Sequence, residues 1–185
     1  VTYHAVKRLD PAIPMGSPNF SYPGGKNWYT QFFAFANTRR LLPDFISIHL
    51  YSCSDGQDIP GRSFLRYSTF DSNYSIPNIK PERYIIPQAV DWLRSEADQA
   101  GLAELPVIID DWNVTFFPTD YTRDTCFMGP YIMENYFNIC GKVFGMSFSS
   151  LSDIHEDFFN TDQLYNGGPG LMTYTGIPKA SYHRS

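Results

Sequence analysis

Leu105-Pro106-Val107-Ile108-Ile109-Asp110-Asp111-Trp112-Asn113 is an apolar run that closes on two adjacent carboxylates, an indole and an amide. The part from Leu105 to Trp112 reads as a strand. A helical pattern from about Pro81 to Ala100 precedes it and stops at Gly101, a common helix terminator. A second helical pattern, from about Asp124 to Cys140 with Asp124 and Gly141 as expected caps, leads on to another strand-like run, Val143 to Ser150. Upstream the alternation repeats. A helix tail, Thr2 to Leu9, precedes a run from Ile13 to Ser17 that Pro18 breaks. A helix from about Lys26 to Arg40, with Trp28, Phe32, Phe35 and Ala36 as its apolar stripe, then leads to a run from Phe45 to Tyr51. Four strand-like runs alternating with helices predict an α/β fold, a parallel sheet covered by helices.

The 185 residues read as one domain, short of the roughly 250 of a complete eight-stranded α/β barrel. Residues 52–80 form a polar connection too long for a simple loop, of a length that usually carries function. Residues 160–185 are a tail containing Gly167-Gly168-Pro169-Gly170 that ends where a further, truncated helix would begin. Four parallel strands alone leave both outer strands with unpaired backbone groups, so something must close the sheet.

Hydrophobic residues make up 43% of the chain and charged residues 18%, a folded composition rather than a disordered one. Fifteen Phe, thirteen Tyr and three Trp suit either a dense core or a surface that stacks on sugar rings. The net charge of −5 comes with no basic stripe, which argues against nucleic acid as a partner. No run approaches the ~20 apolar residues of a spanning helix, and Val1 to Asp10 lack the basic-then-apolar order of a signal peptide. The expectation is a soluble, cytoplasmic chain. Cys53, Cys126 and Cys140 are odd in number and widely spaced, and are expected to be buried or reduced thiols.

In α/β folds chemistry sits where strands end and loops begin. The four runs end in Pro18-Asn19, His49-Leu50-Tyr51, Asp110 to Asn113, and Ser149 to Asp153. His49 and Tyr51 are two apart and project to one side of a strand, making a candidate pair of substrate contacts; a purely structural histidine is the alternative. Asp110 and Asp111 project to opposite sides of a regular strand, so one of them faces the interior. A carboxylate at the end of an apolar strand requires hydrogen bonds or a function, and loop capping stands beside the chemical reading. Asp153, His155, Glu156 and Asp157 form an acidic cluster whose spacing matches no specific metal site. With no Gly-rich phosphate loop, no G-x-S-x-G elbow and no C-x-x-C, no cofactor or metal is expected.

Leu105 to Asn113 resembles the seventh strand of glycoside hydrolase family 39, the β-xylosidase and α-iduronidase family, which ends in a Glu-Trp-Asn or similar motif. Arg123-Asp-Thr-Cys-Phe-Met-Gly-Pro-Tyr-Ile-Met133 resembles the following helix. Phe45 to Tyr51 resembles the family's sixth strand and Pro14-Met-Gly-Ser-Pro18 its fifth; Asp153, Gly167 to Leu171 and Gly176 to Lys179 continue the likeness to the end. The resemblance implies a (β/α)₄ half of a (β/α)₈ barrel, strands five to eight. It implies that Asp111 stands at the position of the family's nucleophilic Glu, with His49, Tyr51, Asn113 and Asp153 as substrate contacts. Ser149 stands where the eighth strand usually offers a Trp, and the Asn-Glu-Pro motif of the acid/base belongs to strand four, upstream of Val1.

A retaining glycosidase uses two carboxyl groups about 5–5.5 Å apart. Asp is one methylene shorter than Glu, which withdraws the carboxylate by roughly 1–1.5 Å, and misplacements of that size cost about 10²-fold in rate. The isolated chain is therefore expected to be a very weak or inactive β-xylosidase-like half-barrel. A second copy completing the barrel as a homodimer, or an N-terminal half, is the expected partner, and Asp153, Glu156 or Asp157 of a second copy would come near the missing acid. The alternative is a non-catalytic, self-associating scaffold or weak carbohydrate-binding module. An unrelated open α/β domain requires a strand order that is not sequential.

Overall fold

The computed structural model describes residues 2–22, 26–52, 84–116, 120–154 and 163–184. Along the chain run α1 (Thr2–Leu9), β1 (Phe20–Tyr22), α2 (Lys26–Arg39), β2 (Ile46–Tyr51), α3 (Ile85–Gln99), β3 (Val107–Asn113), α4 (Met128–Ile139) and β4 (Gly145–Phe148). Short 3₁₀ turns occupy Tyr121–Asp124 and Tyr182–Arg184. All strand pairings are parallel, in the order β1-β2-β3-β4. That sequential order is the arrangement of barrel strands and excludes the open α/β domain, whose sheet order switches direction.

Burial divides the sheet into two faces. Ile46, Ile48 and Leu50 of β2 and Val107, Ile109 and Trp112 of β3 are buried, and the register sets Ile48 beside Ile109 and Leu50 beside Trp112. Against them α3 lays Ile86, Ala89, Val90, Leu93 and Ala97, one apolar face at helical spacing, and Gly101 at φ 73° ends that helix. The alternate residues, including Ser47, His49 and Tyr51, point to the other face, the interior side of a barrel.

Four local expectations change. The first strand is Phe20–Tyr22 rather than Ile13–Ser17, because Pro14 and Pro18 cannot donate to a ladder. The earlier stretch makes a single bridge, Gly16 to Phe45, with Ser17 N–H donating to Phe45 O at 2.9 Å. The approach is close: a Cβ on Gly16 would lie 2.4 Å from the Phe45 ring, which would have to shift. In α2 the buried residues are Tyr29, Phe33 and Ala36, while Trp28 and Phe35 are 59% and 52% exposed. The helix is aromatic on more than one side, and the Tyr29 hydroxyl selects the inner face by donating to Ser47 O at 2.5 Å and accepting from Phe20 N–H at 3.2 Å.

The helix expected from Asp124 starts at Met128, since residues 121–124 form the 3₁₀ turn, capped by the Asp120 carboxylate on Thr122 N–H. Gly141, at φ 80°, follows the helix as expected. Cys126 and Cys140 are free thiols, but exposed rather than buried. Residues 53–80 of the long connection, Cys53, and His155, Glu156 and Asp157 lie outside the described residues. No helix among the described residues is long and apolar enough to cross a membrane.

Candidate active site at the strand ends

The C-terminal end of β3 is irregular. β2 pairs Ile48 with Ile109 and then His49 with Asp111, and β4 pairs Met146 with Ile109 and then Phe148 with Trp112. Both partners thus skip one residue of β3, which is a β-bulge at Asp110-Asp111. Such bulges re-aim side chains, and this one removes the strict alternation expected of the two aspartates. Instead of pointing to opposite faces, both meet His49: Nε2 lies 3.6 Å from Asp110 Oδ1, and Nδ1 lies 3.7 Å from Asp111 Oδ2. The three side chains are 37%, 41% and 27% exposed for His49, Asp110 and Asp111, so the cluster lines an open surface rather than a sealed core.

Tyr51 completes the group. Its hydroxyl donates to Asp111 Oδ2 at 2.6 Å. Burial, reinforced by the hydrogen bond to Asp111, pushes the Tyr51 phenol well above its ordinary pKa, so Tyr51 remains the donor of that pair. Asp111 Oδ1 is buried and has no hydrogen-bond partner among the described residues. Asn19, from the loop entering β1, donates its amide to Asp110 Oδ2.

The other two expected contacts are placed differently. Asn113 is 1% exposed, and its amide donates to the carbonyls of Ser149 and, at 3.1 Å, Pro169, while its oxygen accepts from Val114 N–H at 2.7 Å. It braces the end of β4 instead of reaching a ligand. Asp153 is fully buried: Oδ1 accepts from Gly170 N–H at 2.8 Å, and Oδ2 lies 2.8 Å from Lys179 Nζ. Lys179, itself 0% exposed, also reaches Asp124 Oδ1 at 2.7 Å and Gly168 O at 3.0 Å. Asp153 therefore anchors the C-terminal segment and is inaccessible to sugar, in this chain or a partner. The glycine run serves the same anchor, since a Cβ on Gly168 would stand 2.5 Å from the Asp153 carboxylate.

Asn19, expected at the end of the first run, instead precedes β1, and Asp110 was legible only as one of an aspartate pair of which one faces the interior. Lys179 had no signal beyond its place in the Gly176 to Lys179 resemblance. Among the described residues, no group of three His, Cys, Asp or Glu is arranged to hold a metal.

A sequentially ordered, parallel sheet with two aspartates, a histidine and a tyrosine at the C-terminal ends of two adjacent strands is half of a (β/α)₈ barrel with its polar site at the barrel mouth. The family model described as glycosyl hydrolases family 39 matches residues 1–184, and the chain belongs to that family. It is 28% identical to a β-xylosidase of Geobacillus stearothermophilus over 99% of this chain and 34% of that protein. To a β-xylosidase of Caldicellulosiruptor saccharolyticus it is 27% identical, over 96% of this chain and 33% of that protein. The solved structure of a monomeric β-xylosidase from Caulobacter crescentus CB15 superposes with a TM-score of 0.81 at 25% identity, covering 99% of this chain and 34% of that one. A family 39 enzyme from Xanthomonas axonopodis pv. citri gives 0.79 at 25% identity, covering 99% and 33%. The chain thus spans about a third of the length of these relatives.

Proposed function

We propose that this chain is the nucleophile-bearing half of a retaining, β-xylosidase-type active site, with Asp111 as the attacking carboxylate in the place of the family's Glu. The observation that carries the reading is the state of Asp111: at the C-terminal end of β3, one oxygen takes the Tyr51 hydroxyl at 2.6 Å and the other has no partner among the described residues. A carboxylate oriented by one donor, on a side chain that stays 27% exposed at the open end of the sheet, is suited to meet a sugar. Asp111 attacks the anomeric carbon as the glycosidic bond breaks, and the leaving oxygen takes a proton from the acid. Water then cleaves the glycosyl ester and returns the proton to that acid.

The acid belongs to the complementary half, since the 185 residues contain no Asn-Glu-Pro. That half is a second (β/α)₄ unit seated on the β1 and β4 edges, from chain outside these residues or from a second copy related by a twofold along the barrel axis. The β-xylosidases among the relatives make a neutral pentoside the glycone of choice.

The test uses 2-deoxy-2-fluoro-β-D-xylosyl fluoride, whose fluoride departs without protonation, so labelling reports the nucleophile independently of the acid. Carboxylate oxygen bonds to the anomeric carbon as the C–F bond breaks and fluoride leaves. Peptide mass spectrometry should find the added sugar on Asp111, the ester should be absent from Asp111→Asn, and Asp111→Glu should label up to about 10²-fold faster as the carboxylate regains its reach. An unlabelled protein, or a label on another residue, would overturn the assignment and leave a non-catalytic half-barrel.

A further inference from the structure

Asp110 has no part in the chemistry just described, yet it is the residue around which the bulge is built. In an unbulged strand the neighbour of an inward-facing Asp111 turns toward the helices, where Ile109 and Trp112 are buried among apolar side chains. The bulge keeps the Asp110 carboxylate out of that layer and brings it to the same imidazole that faces Asp111. Asn19 donates to its Oδ2 from the loop before β1, leaving Oδ1 toward His49 Nε2 at 3.6 Å. Two segments distant in sequence therefore converge on this side chain.

His49 lies between two carboxylates, one at each ring nitrogen. A carboxylate beside each nitrogen restricts the orientation of the imidazole ring. The distances of 3.6 and 3.7 Å exceed those of direct hydrogen bonds, so the arrangement acts through charge and orientation rather than through proton sharing.

We infer that Asp110 is a positioning residue: buttressed by Asn19, it fixes the His49 ring, and His49 in turn sets the electrostatic environment and alignment of Asp111. The inference rests on the reading of Asp111 as the nucleophile. Asp110 touches neither the sugar nor the reacting bond, and its effect passes through His49.

The experiment measures the rate at which 2-deoxy-2-fluoro-β-D-xylosyl fluoride labels Asp111 in the wild type, Asp110→Ala and Asp110→Asn, and in both His49→Ala and the His49→Ala/Asp110→Ala double variant. Asp110→Ala should slow labelling at saturating probe by about 10- to 100-fold while the half-saturating concentration stays within about twofold, the split expected of lost alignment rather than lost binding. Asp110→Asn, which keeps the shape of the side chain but carries no charge and has one oxygen to offer Asn19 or His49, should recover only part of the rate. In the His49→Ala background the same Asp110→Ala change should have little further effect, because two residues acting as one unit are not additive.

Labelling of Asp110→Ala at the wild-type rate overturns the inference, as does an equal loss with and without His49. Failure of the underlying reading looks different, since the wild type itself would then carry no ester on Asp111. If Asp110→Ala does not fold, Asp110→Ser, with a short polar group for Asn19 that cannot reach His49, takes its place under the same criteria.

Discussion

Lys179 holds a full positive charge out of water, and it does so with Asp124 and Asp153 at 2.7 and 2.8 Å and the Gly168 carbonyl at 3.0 Å. Removing one member of a buried ion cluster leaves the others uncompensated. Lys179→Met is therefore expected to lower stability by about 3–5 kcal/mol, read as a fall in the urea midpoint with little change in slope. Tyr51 gives a prediction of the opposite kind, about pH. Its phenol is raised above the ordinary value by burial and by Asp111, so the folded state favours the protonated form. That contribution to stability is complete below the unfolded phenol's pKa of about 10 and is lost as pH rises above it. In a spectrophotometric titration, wild type and Tyr51→Phe should show the same absorbance change up to about pH 10.5, with any Tyr51 signal appearing only above that. A titration of Tyr51 at the usual phenol pH would mean that the Asp111 contact does not persist in solution.

At the scale of elements, α2 shows how an aromatic-rich sequence misleads a periodicity argument. Trp28, Phe32, Phe35 and Ala36 and the set Tyr29, Phe33 and Ala36 both have helical spacing, so the pattern alone does not select between them. The choice is made by the sheet, where the buried Tyr29 hydroxyl ties Phe20 of β1 to Ser47 of β2. Phe33→Ala should cost about 3–5 kcal/mol as a core truncation, whereas Phe35→Ala should stay within about 1 kcal/mol; equal losses would return the helix to the other face. The anchor at the end of β4 gives a second test. A Cβ on Gly170 would stand 2.2–2.5 Å from the backbone of Ser152 and Asp153, so Gly170→Ala is expected to destabilise by about 3 kcal/mol, the upper end for an added methyl in packed surroundings. At β3 the ladder itself determines the chemistry, because one extra residue turns two aspartates on opposite faces into two aspartates about one histidine.

For the whole molecule, β1 and β4 are the outer strands of a four-stranded parallel sheet whose inner face carries His49, Tyr51 and Asp111. Parallel sheets are normally covered on both faces and barrels have no edges, so the half-barrel is expected to associate. Sedimentation of the 185-residue chain at tens of micromolar should show a species larger than the monomer; a stable monomer would exclude closure by a second copy. The alternation of helices and strands, the parallel α/β class and the strand-end location of His49, Tyr51, Asp110 and Asp111 were determined by sequence alone, because hydrophobic periodicity, glycine stops and strand-end polarity are properties of neighbouring residues; the position of the first strand was not. What only the tertiary structure decided involves partners far apart in the chain: Asn19 with Asp110, His49 with both aspartates, and Lys179 with Asp124 and Asp153. A bulge is defined by the strands on either side of it, and a buried charge by what surrounds it, so no reading of β3 or of the C-terminal segment by itself contained them.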